Sequence, residues 1–125
     1  MQPGLTTACV KLLPDIHYPI VIVPYEGPKM IIVDLTYKVD LATLEQHLAA
    51  HREFLEKYYQ QGYFLASGPK EPRTGGIIIA LTDDLQELVA ILAADPFYLH
   101  EVADYKFTIF KPVKSHPVIR ELLGN

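Results

Sequence analysis

The chain has 125 residues, 50% of them hydrophobic and 21% charged, a balance that closes one hydrophobic core and is too apolar for intrinsic disorder. Its 11 Lys and Arg against 15 Asp and Glu leave a net charge of −4, which argues against nucleic acid as the main partner because phosphate neutralisation needs a basic face. The single cysteine, Cys9, removes an internal disulfide and any cysteine-cluster metal site within one chain.

Five of the ten prolines, Pro3, Pro14, Pro19, Pro24 and Pro28, fall in the first 28 residues, where they interrupt any regular element. Residues 1–28 are therefore expected to form an irregular extension, with the domain proper at 29–125 and Met30 opening the first clean strand pattern, a candidate for the natural start. The apolar stretch Ile20 to Val23 is cut by Pro19 and Pro24 and is far short of a membrane span. No basic region followed by an apolar signal core opens the chain. With one cysteine, these features lead to the expectation of a soluble, cytoplasmic protein.

From Met30 to Tyr37 the residues alternate, with Ile31, Val33, Leu35 and Tyr37 on one face of a strand and Met30, Ile32, Asp34 and Thr36 on the other. Asp40 supplies an N-cap, Thr43 and Gln46 offer a second capping-box register, and good helix formers run to Gly62, predicting one helix of about five turns. Its inner stripe is Leu44, Leu48, His51, Leu55 and Tyr58, while Glu45, Arg52, Glu53, Glu56 and Lys57 form a solvated outer face.

Gly62 ends that helix, and a second strand, Tyr63 to Ser67, closes at Gly68-Pro69. Gly75-Gly76 resembles a hairpin turn leading into Ile77 to Leu81, a strand apolar on both faces and so central. Thr82 and Asp83, with Gln86, cap a second helix whose stripe is Leu85, Leu88, Val89 and Leu92, and Pro96 ends it at Asp95. Tyr105 to Lys111 alternates as a fourth strand, and Ser115 before His116-Pro117 starts a short terminal helix ending at Gly124.

The order β-α-β-β-α-β predicts an α+β, ferredoxin-like domain with an antiparallel sheet and both helices on one face. Two strands are apolar on both faces, so the open face needs a cover, and a second copy of the same sheet supplies it. The expected assembly is a homodimer through that face, closing into a dimeric α/β barrel.

Four motifs, His51-Arg52-Glu53-Phe54-Leu55, Gly62 to Pro69, Gly75-Gly76 and Asp95-Pro96-Phe97, strongly resemble the YCII-related family over about Met30 to Lys111. The resemblance implies a ferredoxin-like domain that dimerises as an α/β barrel around a pocket holding a catalytic histidine and aspartate, which correspond here to His51 and Asp95. It implies small-molecule chemistry, of the lyase, isomerase or dehalogenase kind, without choosing among these.

The residues themselves support two readings of His51. A histidine amid leucines is either a satisfied core residue or a base whose desolvation a carboxylate offsets. Asp95, placed at the negative end of the second helix, is that carboxylate or else a helix-terminating Asp-Pro pair. The leading expectation is general acid/base proton transfer on a small organic, cyclic or aromatic substrate. The alternative is a non-catalytic small-molecule binding module of the same fold.

Ser67, Gly68 and Pro69 close their strand beside the expected pocket mouth, with Ser67 a hydrogen-bond donor to substrate or to the His51/Asp95 pair, or else a turn residue. Arg73 is either an anion contact or a solvated loop residue. No Gly-x-Ser-x-Gly elbow surrounds Ser67, which argues against a nucleophilic serine. His47 and His51 are one helical turn apart, but no Glu follows the first, so no metal and no cofactor is expected. Phe97, Tyr98, Tyr105, Phe107 and Phe110 line a pocket, fill the core or serve the dimer interface.

Overall fold

The computed structural model describes the backbone of residues 6–13 and 16–22 and the complete structure of residues 29–124. The first two stretches are strands, β1 (Thr6–Leu13) and β2 (Ile16–Ile22), paired antiparallel in a sheet of their own. The irregular segment expected there is thus not what these stretches form. Prolines exclude a helix and the centre of a sheet, but an edge strand accepts them, and a two-stranded ribbon is all edge. The rest of 1–28 lies outside the described residues.

The main sheet contains β3 (Met30–Tyr37), β4 (Phe64–Pro69), β5 (Gly75–Ala80) and β6 (Ala103–Phe110), in the order β4-β5-β3-β6 with every neighbouring pair antiparallel. This is the predicted α+β, ferredoxin-like arrangement, with β3 and β5 central. Ile31, Val33 and Leu35 of β3 and Ile78 and Ala80 of β5 are buried. They pack with Phe54, Leu55, Leu88 and Leu92 from the helices. The opposite face carries Ile32 and Ile79, both half-buried, and the Lys70–Asp34 ion pair at 2.5 Å.

The helical stretch after β3 is two helices, α1 (Leu41–Glu45) and α2 (Leu48–Gln60), instead of the single one predicted. Asp40 caps α1 as expected, accepting from the Thr43 N–H at 2.8 Å. Gln46 and His47 then bond back three residues, to Thr43 and Leu44, and His47 leaves helical geometry at φ −110°, ψ 1°. No Gly or Pro marks this break. Its correlate is tertiary: the His47 ring stacks on His100 with centroids 4.0 Å apart.

Gly62, at φ +84°, follows α2 as the left-handed stop. α3 (Leu85–Leu92) is capped by Asp84, one residue later than predicted. The Asp84 side chain accepts from the Glu87 N–H at 3.0 Å, and Glu87 in turn accepts from the Tyr63 hydroxyl. A further short helix, α4 (Pro96–Leu99), occupies what reads in sequence as irregular chain. The terminal helix α5 (Pro117–Leu122) is capped by the His116 side chain, not by Ser115.

Gly75 and Gly76 are not the hairpin turn. The turn lies at residues 70–74, and Gly75 opens β5 opposite Thr36. A Cβ built on Gly75 would stand 1.8 Å from the Leu35 carbonyl oxygen, so the glycine is there for close approach of two backbones.

Candidate active site

A cavity of about 460 Å³ lies between α2 and the sheet, near the β4 edge, a size suited to a small organic ligand. Its apolar walls include Leu35, Leu48, Leu55, Ile78 and Phe97. Its polar lining brings together His51, Arg52, Ser67, Arg73 and Glu45, with Gly68 and Pro69 at the end of β4. Asp95 does not line it. That side chain is fully buried behind His51.

His51 occupies the middle of the buried face of α2 with Phe54 and Leu55. Its Nδ1 is 2.7 Å from Asp95 Oδ1. Asp95 is not at the negative end of the preceding helix: α3 ends at Leu92 with Ala93 as its cap, and Asp95 is the N-cap of α4. Its Oδ1 also accepts from the Phe97 N–H at 3.0 Å, and Pro96 takes the first helical position, where a missing N–H costs nothing. The carboxylate therefore accepts from an amide donor at the start of a helix, in place of facing the repulsive carbonyls that the sequence suggested.

The same short helix grips the imidazole from a second direction. The Phe97 ring lies on the His51 ring with centroids 3.8 Å apart and planes 2° from parallel. Asp95 thus holds the ring edge and Phe97 its face. Behind both, the Tyr105 hydroxyl of β6 donates to Asp95 Oδ2 at 2.5 Å. Burial, followed by the charge of Asp95 and the hydrogen bond to it, raises the Tyr105 phenol far above its ordinary range. Tyr105 is accordingly the donor in this contact.

The remaining predicted residues divide. Ser67 lines the cavity, but its hydroxyl is shared with the Tyr59 hydroxyl of α2 at 2.6 Å, not with His51 or Asp95. Arg73 reaches across the mouth to Glu45 of α1, Nη1 to Oε1 at 3.0 Å, so its charge is already answered. Arg52, which the helical wheel assigns to the solvated face, lines the cavity instead, and among the described residues it has no ion-pair partner. A 100° step from His51 was enough to carry a long side chain to the rim. His47 stacks on His100 and His51 is bound to Asp95. Among the described residues no group of three or more His, Cys, Asp or Glu is arranged to hold a metal.

Of the motif residues, His51, Arg52, Leu55, Ser67, Gly68, Pro69, Gly76 and Phe97 line the cavity, with Asp95 bound to His51 behind it, and the YCII-related domain model matches residues 21–111. The chain belongs to the YCII-related family. The match starts before Met30, within β2. No curated protein matches this YCII-related chain in sequence. Among solved structures it is similar to 5-chloro-2-hydroxyhydroquinone dehydrochlorinase (TftG) from Burkholderia phenoliruptrix AC1100, in complex with 2,5-dihydroxybenzoquinone. The TM-score is 0.54 at 17% identity over 73% of this chain and 97% of that one, a likeness of fold. Among the described residues of this YCII-related chain, no helix is long and apolar enough to cross a membrane.

Proposed function

We propose that this YCII-related protein is a small-molecule enzyme in which His51 transfers protons to and from a planar organic acid held in the cavity. The observation that carries the reading is the His51–Asp95 contact at 2.7 Å, sealed behind the ring while the ring itself lines the cavity. A carboxylate on Nδ1 orients the imidazole, holds the proton on that nitrogen and leaves Nε2 to a ligand. Nε2 accepts a proton from an acidic C–H or O–H of the ligand, the resulting imidazolium is stabilised by Asp95, and the proton is returned to another ligand atom. Substrate and product then differ in proton position, and elimination of a leaving group is the extension of the same step.

The ligand class follows from charge and shape. Phe97, Leu35, Leu48 and Ile78 give the cavity apolar walls that suit a ring, while Arg52 is a cation without an answering carboxylate among the described residues. An acidic ring with its charged substituent toward Arg52 satisfies both. The similar dehydrochlorinase, in its complex with 2,5-dihydroxybenzoquinone, supplies a suitable probe, since that quinone is a planar vinylogous acid.

Binding of the quinone is expected to raise the unfolding midpoint, by about 2.7 kcal/mol of stability at a hundred times its dissociation constant. Its neutral dimethyl ether is expected to give a much smaller shift, and Arg52→Gln to remove most of the difference. Equal shifts for acid and ether in the wild type would refute the anionic ligand.

The half-buried Ile32 and Ile79 on the face away from the helices, with the fold on which the expectation of a dimeric barrel was built, support a homodimer through that face. Light scattering should then read twice the 14.1 kDa chain mass, and a monomer at micromolar concentration would exclude it.

A further inference from the structure

Tyr105 is the buried titratable group at this site that proton transfer by His51 does not itself use. It is 2% exposed, and its hydroxyl meets the oxygen of Asp95 that His51 does not. Oδ1 is committed twice, to His51 Nδ1 at 2.7 Å and to the Phe97 N–H at 3.0 Å. A carboxylate held through one oxygen alone turns readily, because rotation about a terminal sp³–sp² bond has a broad, shallow profile. Such a turn would swing Oδ1 out of line with the imidazole. A donor on Oδ2 prevents it.

The donor is well placed to be stiff. Tyr105 pairs with Leu35 in the β3–β6 ladder, so its backbone is fixed in the sheet. Tyr98 packs edge-on against its ring, centroids 6.2 Å apart and planes at 85°. Base, acid and donor thus come from α2, the start of α4 and β6, three elements whose relative positions the core sets.

We propose that Tyr105 is a positioning residue, whose hydroxyl on Asp95 Oδ2 fixes the plane of the carboxylate and so keeps the His51 proton on Nδ1 and Nε2 open to the ligand. The geometric part stands without any catalysis. Its consequence for turnover rests on the proton-transfer reading above.

The test is nitrogen-15 and proton NMR of histidine-labelled protein at one fixed pH, comparing wild type with Tyr105→Phe, which keeps the ring and deletes the hydroxyl. The wild type is expected to show a far-downfield, slowly exchanging Nδ1–H proton for His51. In Tyr105→Phe that proton should move upfield and exchange with water at least about tenfold faster, and protein-dependent replacement of the quinone's ring hydrogens by deuterium should slow by about tenfold or more, as for outer partners of metal-bound histidines. A variant that merely melts earlier while the His51 Nδ1–H resonance stays in place overturns the proposal.

If Tyr105→Phe does not fold, the wild type decides. A slowly exchanging phenolic proton of Tyr105 supports the contact, and one exchanging too fast to observe overturns it. Absence of proton transfer in the wild type would defeat the catalytic reading alone, because the NMR comparison does not depend on a substrate.

Discussion

In deuterated buffer, the wild-type protein is expected to speed replacement of the ring hydrogens of the quinone probe by deuterium, and His51→Ala to lose about 10²- to 10⁴-fold of that acceleration. The reason is the arrangement of the ring. Its edge is bound to Asp95 at 2.7 Å and its face is covered by Phe97 at 3.8 Å, so one nitrogen is left to exchange protons with a ligand in the cavity. Alanine removes the base but leaves Asp95 with its Phe97 and Tyr105 donors, so the fold should survive. Affinity for the quinone is expected to change far less than the exchange rate, because the apolar walls and Arg52 are untouched. A rate unchanged from wild type would exclude His51 as the base. Lost affinity with no exchange in either protein would make the cavity a binding site without chemistry.

Gly75→Ala should be the most damaging single-methyl change in the sheet, destabilising by about 3 kcal/mol or more, at or above the top of the usual range for overpacking. The added carbon would lie 1.8 Å from the Leu35 carbonyl oxygen and 2.9 Å from its carbon. Both are backbone atoms of a central strand, so no rotamer change can clear the space. Relief requires β3 and β5 to separate at Thr36–Gly75, where their pairing begins. Denaturant titration measures this directly. A cost below about 1 kcal/mol would show that the strands part easily. Leu35 also lines the cavity, so the same substitution is expected to weaken quinone binding.

The order of strands and their antiparallel pairing were readable because β3, β5 and β6 carry unambiguous two-residue periodicity or continuous apolar runs, bounded by Gly and Pro. The α1–α2 break was not readable, since residues 41–61 contain neither Gly nor Pro and the stacking of His47 on His100 joins positions 53 residues apart. Asp95 illustrates a different limit. Its pairing with His51 was nominated from the Asp-Pro-Phe motif, yet the helix it belongs to has only four residues, too few for any periodic signal. The sign of its interaction with the backbone was misread for that reason.

Within the site, His51, Ser67, Gly68, Pro69 and Arg73 were nominated from sequence and do line one cavity, with Asp95 directly behind His51. The partners were harder. Glu45 reaches Arg73 from a helix 28 residues away, and Tyr59 reaches Ser67 from the opposite side of a turn. Tyr105 carried only the signal of an inward-facing strand position, which cannot distinguish a core aromatic from a donor. Arg52 was set aside because a helical wheel locates the Cα–Cβ bond and not the end of a seven-atom side chain.

One turn of α4 supplies both the tether and the lid of the imidazole, because its cap residue and its second residue are Asp95 and Phe97. A ring pinned along an edge and across a face has no swing left. If His51 is the base proposed above, the ligand must do the travelling: the atom that gives up its hydrogen would have to be delivered along a single line of approach, so the outline of the chamber, more than the strength of the base, would decide which molecules react.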